Sequence, residues 1–205
     1  FSEFEKHATP RGASGNGGLG VYQTLVDAFA MKDGSLPITG YDGNYGKPII
    51  NKESGYTARG FSAQKDIRKT KYNLYRNCPG ATVDSVGADG CTYNQVAASG
   101  TYNMYVGREP RFYLTVMWNR QWYHQAEREV QMMSNEQDGG PTHDAPQNGY
   151  LNRKKVSLDQ NQRNGIHPYR PGILYRLGEA YLNYAEALNE RDPGNPDIFK
   201  YLNLI

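Results

Sequence analysis

Long apolar runs are missing from these 205 residues. A bilayer-spanning helix needs roughly 20 predominantly apolar residues in succession, and no segment approaches that. Charge of one sign is missing as well. The 23 basic and 21 acidic residues leave a formal charge of +2, and the Lys and Arg are scattered instead of forming a stripe, which argues against nucleic acid as a partner. No basic stretch leads into a hydrophobic one, so any export signal or lipid anchor is expected upstream of Phe1. The start without Met and the stop at Ile205, inside an apolar helical pattern, read as part of a larger protein.

Chemistry-bearing clusters are also scarce. His7, His124, His143 and His167 lie in separate segments without the spacing of a zinc-binding pair. No G-x-S-x-G nucleophile signature occurs. Glu179 and Glu186 share a helix face, but it is the polar one, whereas a glycosidase needs two carboxylates facing across a cleft, about 5 to 10 Å apart. Calcium held by loop carboxylates and carbonyls is compatible with the composition but has no assignable position. There are two cysteines, Cys78 and Cys91, at the ends of CPGATVDSVGADGC. In an oxidising compartment they are expected to close a disulfide, worth about 3 kcal/mol if unstrained; with no His nearby they do not suggest zinc.

What the chain has in quantity is Gly (23), Pro (11) and Tyr (17). The first two imply long, turn-rich connections; Tyr suits surfaces where a ring and a hydroxyl are both useful. Gly15, Gly17 and Gly20 match G-x-G-x-x-G, yet the polar FSEFEKHATPRGAS before them has no strand pattern and no βαβ unit follows, so a dinucleotide loop is excluded. Residues 1–20 read as loop. Val21, Leu25, Val26, Phe29 and Ala30 recur at helical spacing, with Asp33 and Gly34 as the stop. Residues 35–100 read as a structured excursion. RFYLTVMW followed by NR and QWY predicts a strand and a hairpin, and GYLNRKKVSLD a further extended segment. Near the end, Leu174, Leu177, Tyr181, Tyr184, Ala185 and Leu188 form one helical face. Asp192 to Gly194 break that helix, and Asn195 as cap with Pro196 at the first position opens another. Leu177, Gly178 and Tyr181 also fit the L-G-x2-Y core of a tetratricopeptide repeat.

Several of these segments, in this order, resemble the SusD/RagB family of Bacteroidetes outer-membrane proteins. YRLGEAYLNYAEALNE looks like the family's "RLaEvYLnyAEAln" helix, GREPRFYLTV is similar to "nRDPRFyaTi", and LVDAFAMKDG resembles "eLVDaFemkDG". GYTARGFSAQ and GYLNRKKV fit weaker blocks between them. Glu109 stands where the family usually has Asp, and Gly178 where it prefers Ala. The resemblance implies a mainly α fold of tetratricopeptide-like helical hairpins with long loops and a small β-hairpin. Residues 1–205 would then be the C-terminal part of one such domain, incomplete at both ends. It also implies a non-catalytic, lipid-anchored protein of the outer cell surface, without a cofactor, that captures a glycan, or in some members a peptide, and works with a SusC-like TonB-dependent transporter.

Glycan capture calls for flat rings that stack on sugar C–H faces, edged by side chains that bind hydroxyls. WNRQWY offers Trp118 and Trp122 with Asn119 between them at an expected hairpin tip. GYDGNYG offers Tyr41, Asn44 and Tyr45. Phe112 is expected in the core, with Arg111 paired to a loop carboxylate or carbonyl.

Overall fold

The computed structural model describes residues 2–43, 46–63, 66–67, 95–123, 126, 128–157, 159–161, 164–169 and 171–205. Cys78 and Cys91, with their expected disulfide, lie outside these residues, as do Asn44 and Tyr45. The chain divides into two compact units, 1–168 and 169–205.

In the first unit the order is α1 (Ser2–Ala8), α2 (Gln23–Ala28), β1 (Ile38–Asp42), β2 (Lys47–Ile50), β3 (Asp66–Ile67), β4 (Gln95–Ala97), α3 (Pro110–Thr115), β5 (Val116–Met117), β6 (Trp122–Tyr123), β7 (Arg128–Glu129) and β8 (Leu151–Asn152). The strands form four antiparallel pairs: β1–β2, β3–β4, β5–β8 and β6–β7. The secondary structure of this unit's described residues is therefore mixed, with short helices set among small two-stranded sheets.

Three local expectations are corrected. Residues 1–20 are not all loop, because Ser2–Ala8 is helical. Its buried face includes Glu5 beside Ala8, and a charged residue facing inward hides the apolar period that would mark the helix. RFYLT is helix, not strand. Pro110 at the first helical position lacks the N–H a ladder would use and has its φ preset for a helix. The helical turn brings Phe112 and Tyr113 together into the core and leaves Leu114 outside, an arrangement that strand alternation forbids. The expected hairpin also pairs differently: β5 is bonded to β8 across Val116↔Asn152 and Met117↔Leu151, while β6 pairs with β7.

β5 also divides the core. Successive strand residues point to opposite faces, so Val116 joins Val21, Val26, Tyr105, Phe112, Tyr113, Trp118 and Tyr150, while Met117 joins Tyr123, Val130 and Leu151. The first cluster is largely aromatic. Trp118 lies 5.4 Å from Phe112 at an interplanar angle of 20° and 5.7 Å from Tyr105. Phe112 is in the core, as its position in PRFY suggested.

Buried polar groups tie the loops to this core. Asp138, without solvent exposure, accepts two bonds from the Arg128 guanidinium, at 2.6 and 2.8 Å, and backbone bonds from Gly12 and Gln131. Arg108 is equally buried; its Nη atoms donate to the carbonyls of Met104, Val26 and Phe29, and its guanidinium lies against the rings of Tyr56 and Phe112. The glycine-rich opening serves close backbone packing. A Cβ on Gly15 would sit 2.1 Å from the Thr9 carbonyl oxygen, and one on Gly17, whose φ is +55°, 2.3 Å from that of Asp144. The N–H groups of these two glycines already donate to the carbonyls of Pro10 and Thr9.

The second unit contains α4 (Leu177–Arg191) and α5 (Pro196–Leu202). Asn195 caps α5 as expected: its side chain accepts from the Asp197 N–H at 3.0 Å and donates to Asp192 at 2.8 Å. Tyr201 packs against Tyr181 and Tyr184, with ring centroids 5.3 and 4.9 Å away, and Ala185 and Ile198 are buried. Leu174 precedes the helix and is exposed, as is Leu177, so the inward face of α4 is narrower than the sequence pattern implied.

Candidate ligand-binding cleft

A cleft of about 490 Å³ lies in the first unit between α2 and the β1–β2 hairpin. Its size falls within the roughly 300 to 1,000 Å³ of small-molecule sites. α2 contributes Gln23, Thr24 and Asp27, β1 contributes Ile38 and Tyr41, and Gly46 and Pro48 close the hairpin side. Tyr56, Ala58 and Met104 complete the described lining.

Local geometry explains the placement. Gln23 and Asp27 are one helical turn apart, so their side chains meet: Gln23 Nε2 donates to Asp27 Oδ1 at 2.8 Å. The other carboxylate oxygen accepts from the Tyr41 hydroxyl at 2.9 Å, which tethers an otherwise exposed hairpin to the helix. Behind them the Tyr150 hydroxyl donates to Gln23 Oε1 at 2.8 Å. Asp27 is only 5% exposed, yet both its oxygens are satisfied by side chains that themselves line the cleft.

The phenols of this region hold their protons firmly. Burial pushes Tyr56 up to about 12, with Arg108 pulling the other way. Tyr41 is raised first by desolvation and then by its bond to Asp27 and the charge there, and burial raises Tyr150. With its phenols protonated, the site offers the Asp27 side chain, amide and hydroxyl groups, and the rings of Tyr41 and Tyr56. Among its described lining residues there is a single carboxylate, so the facing pair of a glycosidase is not assembled there.

Of the residues the sequence nominated, Tyr41 lines this cleft, while Asn44 and Tyr45 lie outside the described residues. Trp118 is a correction. At 1% exposure, enclosed by Phe112, Tyr105 and Tyr113, it has no face to offer a sugar. The residues WNRQ are not a displayed tip but a tight turn against the core: Arg120 takes a left-handed φ of 75°, Gln121 N–H donates to the Trp118 carbonyl, and Asn119 Oδ1 accepts from the Met132 N–H at 2.8 Å. Trp122 is half-buried in β6, opposite Glu129, and does not line the cleft. Gln23, Asp27, Tyr56 and Met104 were not nominated. The Gln23/Asp27 spacing in QTLVDA is a readable signal; nothing local links Tyr56 or Met104 to it.

Among the described residues no group of three or more His, Cys, Asp and Glu is arranged to hold a metal. No helix among them is long and apolar enough to cross a membrane. Comparison with known proteins gives a match to the family model of the SusD family over residues 2–205. Among solved structures, a SusD-like protein from Bacteroides fragilis matches at 24% identity with a TM-score of 0.41, over 93% of this chain and 28% of that one. The chain thus spans a little over a quarter of that relative's length. No curated protein matches.

Proposed function

Because this chain belongs to the SusD family, we propose that it is a non-catalytic glycan-binding protein of the outer cell surface, which captures oligosaccharides and delivers them to a TonB-dependent transporter. The observation that carries the proposal is the family match across residues 2–205. In this reading the chain is the C-terminal portion of one SusD-like domain, and α4 with α5 is one hairpin of a tetratricopeptide-like scaffold. A lipid anchor outside this chain holds the protein at the membrane, and capture requires no cofactor.

The cleft at Tyr41 supports the proposal physically. The ring of Tyr41, 45% exposed, offers a partly open face to a sugar, and Asp27 and Gln23 beside it supply hydroxyl-binding groups at the ring edge. Aromatic pairs contribute about 0.5 to 1.5 kcal/mol beyond buried area, and a ring stacked on a sugar face is expected to contribute on the same order. Removing the ring is therefore expected to weaken capture measurably without unfolding the core, from which Tyr41 is absent.

Isothermal titration of the full-length protein against a glycan panel and an oligopeptide mixture is the test. Heat from a glycan, reduced about three- to tenfold in affinity by Tyr41→Ala in a protein that remains folded, is the expected result. Tight peptide binding without any sugar response would replace glycan capture by peptide capture. Product release from labelled polysaccharide, abolished by one carboxylate substitution, would overturn the non-catalytic assignment.

A further inference from the structure

The described lining of the cleft carries charge of one sign. Asp27 is the one charged side chain among its described lining residues, and no Lys, Arg or His accompanies it there. The nearby cation, Arg108, keeps its charge but does not line the cleft; it is fully buried against the ring of Tyr56 and the carbonyls of Val26, Phe29 and Met104, so a ligand is in direct reach of Asp27 and not of Arg108. On the hairpin, Asp42 and Lys47 stand opposite each other, so their charges offset. A ligand entering beside Tyr41 therefore meets a carboxylate whose solvation has been replaced by two neutral donors, Gln23 Nε2 and the Tyr41 hydroxyl.

Such a carboxylate accepts hydrogen bonds and donates none, so it suits ligand hydroxyls and ammonium groups. A second carboxylate or a sulfate within a few ångströms would repel it, and the repulsion is stronger in a partly dry cleft than in water. We propose that Asp27 is the charge-selecting residue of this cleft, admitting neutral or amine-bearing sugars and rejecting those that carry a carboxylate or sulfate. The inference rests on the glycan-capture reading above and adds to it the chemical class of the sugar.

The probe is a matched pair. A neutral oligosaccharide that binds the full-length protein is oxidised at its primary hydroxyls to the uronic acid, and part of the product is then converted to the uncharged methyl ester. The acid is expected to bind at least about tenfold more weakly than the parent. The ester is expected to recover most of that loss, which a purely steric penalty would not allow. Asp27→Asn removes the charge and keeps one acceptor oxygen; whatever it costs the neutral parent, it should largely erase the penalty on the acid relative to that parent in the same variant. An acid that binds as tightly as its parent, an ester as weak as the acid, or a folded Asp27→Asn protein with an undiminished penalty would each overturn the inference. Where Asp27→Asn does not fold, the ester comparison on the unsubstituted protein decides. A protein that binds no saccharide at all fails earlier, at the proposed function itself.

Discussion

Trp118 and Tyr41 show how differently two aromatic residues of one chain can be employed. Trp118 fills the centre of the larger core cluster, in ring contact with Tyr105, Phe112 and Tyr113. Trp118→Ala removes those contacts and leaves a cavity, so a loss of about 3 to 5 kcal/mol is expected, read as a lower midpoint in denaturant unfolding. A stability change below about 1 kcal/mol would mean that the ring is dispensable to the core. Tyr41 makes one tether, to Asp27, and keeps much of its ring outside. Arg108 is a third case. It joins the C-terminal end of α2 to Tyr56 and Met104, so a residue outside the described lining sets the relative position of three cleft elements.

Among the elements, the ends are decided by short-range chemistry. Asn195 satisfies the Asp197 N–H at the start of α5, and Pro196 removes an N–H that would have no helical partner. Asn195→Ala should destabilise this helical hairpin by about 1 kcal/mol, seen as faster amide exchange confined to α5. Exchange rates unaltered there would show that Pro196 suffices. These signals stand in the sequence, and the hairpin of α4 and α5 was readable from them. α1 and α3 were not, for opposite reasons. α1 turns Glu5 inward, against the ordinary preference of a carboxylate for water. α3 contains Phe112, Tyr113 and Thr115, whose strand preference loses to Pro110 and to the requirement that Phe112 and Tyr113 share one cluster.

For the molecule as a whole, buried phenols shape the response to alkali. Burial raises Tyr56 to about 12 from 10.0, and Tyr105, Tyr123 and Tyr150 move in the same direction for the same principal reason. A folded-state value above the unfolded one means that the native protein binds the proton more tightly. The stabilisation is fully present below pH 10 and is lost as the pH climbs toward about 12. The denaturation midpoint is therefore expected to fall through that window, with tyrosinate absorbance rising in step with loss of the folded state. Tyrosines that all titrate near pH 10 while the protein remains folded would contradict the burial described for them.

The sequence by itself determined what depends on neighbours along the chain: the caps and breaks of α4 and α5, the lack of a membrane-spanning helix among the described residues, the placement of Phe112 in the core, and the ordered motifs that resemble the family. Tertiary structure alone decided the cleft. Gln23 with Asp27 is a local pair, but Tyr41, Tyr56 and Met104 reach it from separate segments, and no periodicity records which segments meet. Burial decided the tryptophans in the same way. WNRQWY has the composition of a sugar platform, yet the turn at Arg120 and the pairing of β5 with β8 carry Trp118 inward, because its apolar surface is more stable in an aromatic core than in water.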